Sequence, residues 1–327
     1  RHPSMASAKS TTSSSSSAAP PPADGPKLDR FGLPVQTEEN VFPPLPPSTE
    51  LIPIAEGYET KTSDIVEAMS KHIGLDFGLF DEEGAEIMTD TASMERKPMK
   101  LRLEHVSPPV LTIDDFFTPE ECDEYMSLSE TDGDGGDEQG DGGTLRVRSA
   151  TFSSLAASTR TSTTWFCRYS LVPSLLARVK KLFNGLDLRR CEEPQLVRYN
   201  NGERFSWHYD ELPPGPLLEN GGQRVATLLV YLNDVPAGSG GETIFRDLKN
   251  ARGELLSVRP QRGKALLFFP SFRDGNPDER TLHKGEIANA QKMIGQVWIH
   301  EGPYKAAVPE GNVHDEEMRK GVKEKER

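Results

Sequence analysis

Hydrophobic and polar positions change rhythm along the chain, and the change separates a helix-bearing first half from a β-rich second half. A helix is predicted over 63–72 and a strand over 110–117. Thr118-Pro119-Glu120-Glu121 then opens a second helix, with a hydroxyl N-cap, proline at the first helical position and acids on the positive dipole end; it is expected to run to about Leu128. A third helix is predicted over 172–183. Beyond it come short β-rich runs at 195–199, 205–209, 224–232, 242–245, 265–269 and 292–300. They are punctuated by Asn200-Asn201-Gly202, Gly221-Gly222, the glycines of 238–241 and Asp274-Gly275. Short strands separated by turn residues predict an antiparallel sandwich or jelly roll, so the expected class is α+β, mainly β, with flanking N-terminal helices.

Composition shortens the part of the 327-residue chain expected to fold. Ten of the 26 prolines lie in the first 50 residues and ten of the first 20 residues are Ser or Thr, too few apolar side chains to offset ordering entropy. Residues 1–55 are therefore expected to be a disordered Ser/Pro-rich tail and 56–104 an N-terminal extension of unassigned role. Residues 105–305 are expected to form the catalytic domain and 306–327 a charged C-terminal tail.

An insertion at 130–143 holds six acids, six glycines and no basic residue. Glu130, Asp132, Asp134, Gly135 and Asp141 fall on calcium-loop positions, but the closing Glu is missing, Asp137 stands where an apolar residue belongs, and a strand-like run follows instead of a helix. A solvated insertion is the better reading.

The formal charge of -13 lacks the cationic face that a phosphate backbone requires, so nucleic acid is not expected as a partner. Cys122, Cys167 and Cys191 are odd in number and widely spaced, which gives neither a disulfide framework nor a CxxC site. No apolar run approaches the roughly 18 residues of a membrane span. The chain opens on Arg1 rather than Met, which leaves room for a targeting segment upstream.

The chemistry concentrates in the β-rich half. His208 and Asp210 are two apart in a strand-like run, so their side chains leave one face and can chelate one metal. A third ligand must come from another strand, and His283 lies 73 residues beyond Asp210. Two imidazoles and a carboxylate are the facial triad of non-haem Fe(II) oxygenases. Lys292 stands nine residues after His283 and begins a run in which Lys292, Ile294, Gln296, Trp298 and His300 alternate onto one face. A cation there suits the far carboxylate of a dicarboxylate co-substrate whose near end chelates iron.

The ordered segments RYNNGERFSWHYD (198–210), GGQRVATLLVYLND, GGETIF, RPQRGKALLFF and DERTLHKG resemble the prolyl 4-hydroxylase family of 2-oxoglutarate- and Fe(II)-dependent dioxygenases, in its plant and algal form. The resemblance extends over about 108–304, from IDDFFTPEEC through RTSTTWF to KMIGQVWIHEGPY. It implies a double-stranded β-helix, or jelly roll, with His208, Asp210 and His283 on the iron and Lys292, Thr243 and Tyr199 on the distal carboxylate of 2-oxoglutarate. It also implies that Arg160, Ser162, Arg224, Trp298 and His300 line a groove for a proline-rich or other peptide. Fe(II), 2-oxoglutarate, O2 and L-ascorbate are the implied cofactors, prolyl 4-hydroxylation with release of succinate and CO2 the implied reaction, and the endoplasmic reticulum and secretory pathway the implied compartment.

Two departures bear on the substrate. Gly285-Glu286-Ile287-Ala288 replaces a Cys-Pro-Val-like stretch and shortens the interval to the lysine by one residue, and Phe205 stands where many members carry tyrosine. A lysyl residue or a free amino acid therefore stays open as acceptor, as does a catalytically dead jelly roll that only binds peptide. A zinc hydrolase is disfavoured because no HExxH run occurs.

Overall fold

The computed structural model describes residues 42–73, 76–77, 86–87, 99–130, 144–148 and 160–306. The Ser/Thr-rich run, most of the acidic insertion and most of the charged tail lie outside the described residues.

Among the described residues three α-helices form close to the predicted spans. Helix α1 is Thr62–His72, α2 is Pro119–Ser127 and α3 is Pro173–Leu182. The α2 start closes as a capping box: Thr118 accepts from the Glu121 N–H while the Glu121 side chain reaches back to the Thr118 N–H, which satisfies two orphan donors. Glu121 also accepts from Arg178 of α3 at 3.2 Å, so the cap ties two helices together where both side chains are buried.

The longer strands are β1 (Met99–Ser107), β2 (Val110–Asp114), β3 (Thr144–Arg148), β4 (Thr163–Cys167), β5 (Gln195–Tyr199), β6 (Phe205–His208), β7 (Arg224–Tyr231), β8 (Thr243–Lys249), β9 (Leu255–Val258), β10 (Ala265–Phe268), β11 (His283–Gly285) and β12 (Lys292–His300). The larger sheet runs β1-β2-β10-β7-β12-β5-β4-β3, with the two-residue strands Ile52–Pro53 and Glu86–Ile87 pairing on β1. The smaller runs β6-β11-β8-β9. From β5 onward the chain alternates between the sheets except at the β8–β9 hairpin, which stays in the smaller one, and β12 returns to lie between β7 and β5. This is the double-stranded β-helix, a jelly roll of antiparallel pairs.

Alternation along the strands splits the core in two. Leu228 and Val230 of β7 and Met293, Val297 and Ile299 of β12 face the helices and join a cluster with Leu175, Leu176, Val179 and Leu182 of α3. Leu229 and Tyr231 of β7 and Ile294 of β12 face the other sheet, among Val197, Tyr199, Phe245, Leu256 and Phe268. The candidate site lies in this second, inter-sheet layer. Ile65, Met69 and Ile73 of the first helical segment and Met99, Leu101 and Leu103 of β1 belong to the helix-side cluster, so residues upstream of 105 share the core of the jelly roll.

The sequence pattern misses β1, β4, β9 and β11. Strand β9 is four residues with one exposed leucine, and β11 carries Lys284 and Gly285 after its histidine, so neither shows an apolar alternation long enough to detect. The strand ends at His208, one residue before the predicted end, so Asp210 stands two residues beyond it.

Gly295 in β12 is a close approach: a Cβ there would collide with the Tyr125 ring of α2, which is buried and donates its hydroxyl to the Gln195 carbonyl at 3.3 Å. Gly295→Ala is expected to destabilise the protein by about 1–3 kcal/mol through overpacking, read as a lower urea midpoint at unchanged m-value.

Candidate active site

Strands β6 and β11 pair so that His208 stands directly opposite His283. Their ring centroids are 4.2 Å apart. Each Nδ1 lies against a backbone carbonyl two residues upstream, Ser206 at 2.8 Å for His208 and Thr281 at 2.9 Å for His283. An Nδ1–H donating to a carbonyl fixes the tautomer and leaves Nε2 with its lone pair free, the form a metal ligand needs. Burial, with the His283 ring second, pushes the His208 imidazole down to about 3, so it is neutral at pH 7.

Asp210 supplies the carboxylate: Oδ1 is 3.6 Å from His208 Nε2 and Oδ2 is 3.8 Å from His283 Nε2. Burial raises its carboxyl, but the His283 and His208 rings and a 2.8 Å hydrogen bond from the Thr227 hydroxyl outweigh that and hold it below the ordinary value. One ligand atom from each of the three residues lies within 4.8 Å of the others. Two imidazole Nε2 atoms and one carboxylate make the N,N,O donor set of a facial triad, so these residues fit an Fe(II) ion.

Tyr199, Phe205, Thr227, Thr243, Gly285, Lys292, Ile294 and Gln296 line the same cavity as the triad. Lys292 is 2 % exposed and donates from Nζ to the Gly241 carbonyl at 2.8 Å. Its ammonium sits 4.9 Å from the centre of the Tyr199 ring, its cross-strand partner. Burial lowers Lys292 to about 8, with the charge of Glu242 acting the other way. Among the described residues no carboxylate is in ion-pair distance of Lys292, and a buried cation in that position fits an anionic ligand. The one-residue shortening after His283 thus leaves the lysine in the cavity.

Thr243 accepts from the Tyr231 hydroxyl at 2.9 Å, and Arg160 and Ser162 reach the Tyr199 phenol, so both oxygens expected to meet the co-substrate are held in place. Arg160 donates to Ser162 and Thr164 at 2.8 and 2.9 Å and lies 4.9 Å above the Phe205 ring. Phe205 in turn stacks on His208 at 3.5 Å between centroids.

The remaining groove residues are tied to one another. Arg224 makes a two-pronged contact with Glu192 at 2.8 and 2.7 Å and covers the Trp298 ring at 3.7 Å. His300 is fully buried, with Nε2 3.0 Å from Glu192 and Nδ1 3.1 Å from the Gly222 carbonyl. Both ring nitrogens of His300 are thus engaged inside the protein. Glu192, which joins Arg224 to His300, escapes sequence reasoning because nothing in Cys191-Glu192-Glu193-Pro194 distinguishes one acid from the next. Thr227 escapes it as an ordinary strand residue, whereas alternation places Gln296 on the Lys292 face.

Residues 194–300 match the 2OG-Fe(II) oxygenase superfamily. Among curated proteins, prolyl 4-hydroxylase 2 of Arabidopsis thaliana is 29 % identical over 245 residues, covering 67 % of this chain and 76 % of its own. Probable prolyl 4-hydroxylase 3 of the same plant is 35 % identical over 125 residues, 34 % of this chain and 43 % of its own. A solved 2-oxoglutarate complex of a viral collagen prolyl hydroxylase, from Paramecium bursaria Chlorella virus-1, aligns with a TM-score of 0.42 at 21 % identity, over 58 % of this chain and 94 % of its own. Residues 194–300 are a 2OG-Fe(II) oxygenase domain. The protein is a 2-oxoglutarate-dependent dioxygenase with prolyl 4-hydroxylases among its relatives.

The Lys292 charge gives a pH signature. Its pKa is depressed from the ordinary lysine value to about 8, so the ammonium is present below that pH and is lost as pH rises through it. The KM for 2-oxoglutarate is expected to be flat below about pH 8 and to climb roughly tenfold per pH unit above it. Lys292→Met should raise KM throughout and flatten the profile. A wild-type KM that stays constant to pH 10 would assign the anion to another cation.

Proposed function

We propose that the protein hydroxylates prolyl residues of a peptide at the 4-position, coupled to conversion of 2-oxoglutarate to succinate and CO2. The observation that carries this reading is the single cavity shared by the His208–Asp210–His283 donor set and the buried Lys292 ammonium. Iron held by the triad supplies the redox chemistry that links oxidative decarboxylation to insertion of oxygen into a C–H bond.

The chain's own residues do the rest. His208 and His283 present their Nε2 atoms, and Asp210 adds the carboxylate. Lys292 pairs with the distal carboxylate of 2-oxoglutarate, with Thr243 and Tyr199 beside it, which points the keto-acid end toward the metal. Apolar walls of Leu229, Phe268 and Ile294 keep the cavity dry. L-ascorbate would be the accompanying reductant.

The acceptor follows from the relatives, which are named prolyl 4-hydroxylases, and from the cavity border. Arg160 over Phe205 places a cation beside an aromatic ring that lines the cavity, a surface that suits the exposed carbonyls of a polyproline II chain. Among the described residues no helix is long and apolar enough to cross a membrane.

The test is incubation with Fe(II), 2-oxoglutarate, ascorbate and a proline-rich peptide library, read by mass spectrometry with fragment sequencing. A one-oxygen gain on proline is expected; a gain confined to lysine, or only on free amino acids, would keep the oxygenase reaction and overturn the prolyl reading. His208→Ala, Asp210→Ala and His283→Ala are each expected to abolish peptide-stimulated succinate formation, and retained turnover in all three would remove the triad from the reaction.

A further inference from the structure

Asp210 presents a choice that distance alone does not make. Each of its oxygens stands beside one histidine, Oδ1 3.6 Å from His208 Nε2 and Oδ2 3.8 Å from His283 Nε2. A carboxylate this evenly placed can rotate, bridge or chelate with both oxygens. It also lies beyond the end of β6, so no ladder hydrogen bond fixes it within the smaller sheet.

What fixes it comes from the opposite sheet. The Thr227 hydroxyl, 2 % exposed on the cavity face of β7, donates to Asp210 Oδ2 at 2.8 Å. Three residues earlier on the same strand, Arg224 donates from Nη1 to the Asp210 backbone carbonyl at 3.1 Å. Positions 224 and 227 would face opposite sides of a regular strand. The register shift between Arg224 and Ala226 removes that conflict: Val225 and Ala226 both join the helix-side core, and Arg224 turns with Thr227 toward the cavity.

We propose that Thr227 is a positioning residue that selects the metal-facing oxygen of Asp210: its hydroxyl engages Oδ2 and leaves Oδ1 as the third ligand. The inference rests on the reading of His208, Asp210 and His283 as the iron site. The hydrogen bond occupies a lone pair of Oδ2 and restrains rotation of the carboxylate, which leaves the lone pairs of Oδ1 free for a metal. With one oxygen engaged, Asp210 takes a single coordination position. An iron ion held this way would keep more of its positions open for a keto acid and dioxygen than one chelated by both Asp210 oxygens.

The test is anaerobic titration of Co(II), a spectroscopic stand-in for Fe(II), into the full chain, followed by visible absorption and calorimetry without turnover. Wild type is expected to bind one equivalent, and Asp210→Ala far more weakly. Thr227→Val keeps the shape of the side chain and removes the donor; it is expected to weaken Co(II) about 10–100-fold and to change the band shape. Thr227→Ser, which restores the hydroxyl, should return both toward wild type, whereas a packing defect would not be rescued by the smaller residue. Should Thr227→Val lose the wild-type melting temperature, Thr227→Ala carries the same expectation. Wild-type affinity and spectrum in the Val or Ala variant would overturn the role of Thr227 while leaving the triad standing. Equal affinity of wild type and Asp210→Ala would overturn the metal site itself and this inference with it.

Discussion

One cross-strand register governs the site. Strand β6 pairs with β11 so that His208 and His283 face each other across the ladder, and both rings enter the space between the sheets. A slip of one residue would turn one imidazole to the far side of the sheet and leave no pair to share a cation. The same backbone that sets the register also sets the chemistry, because the carbonyls of Ser206 and Thr281 hold each Nδ1 and turn each Nε2 inward. The larger sheet then holds the carboxylate that the smaller sheet does not, through Thr227 and Arg224 of β7.

The layer between the sheets carries more charge than an ordinary core tolerates, and each group has its own reason to stay ionised. Glu192 lies between Arg224 and His300; burial alone would raise its carboxyl, and the Arg224 cation and the His300 hydrogen bond more than offset this. Asp210 stays ionised beside two imidazoles and a hydroxyl. Lys292 differs: its nearest oxygen is a backbone carbonyl, and burial brings its pKa close to physiological pH. A cation kept buried at that cost marks a site shaped for an anion rather than for stability.

The helices and the first strands bring no ligand to the cavity, yet they shape it. Helix α3 and strands β7 and β12 share the apolar layer behind the larger sheet, and Tyr125 of α2 lies on Gly295 of the central strand. That backing keeps β12 covered on both faces, so all nine of its residues are buried, Lys292, Gln296 and His300 among them. On a one-sided sheet this alternation would put those polar residues in water.

The local rules were enough to place helices α2 and α3 and strands β5, β7, β10 and β12, because caps, turn glycines and apolar runs act over a few residues. They also marked His208, Asp210, His283 and Lys292 as one chemical set, since a strand's period of two and the ordered motifs are written in the chain itself. Strand β11 was invisible, being three residues long and lacking an apolar pattern, and so was the insertion of β12 between β7 and β5. The engagement of His300, the joining role of Glu192 and the grip of Thr227 on Asp210 were decided only by the tertiary structure. Each depends on contacts between residues 17 to 108 positions apart, and no local periodicity records which distant side chain will arrive opposite.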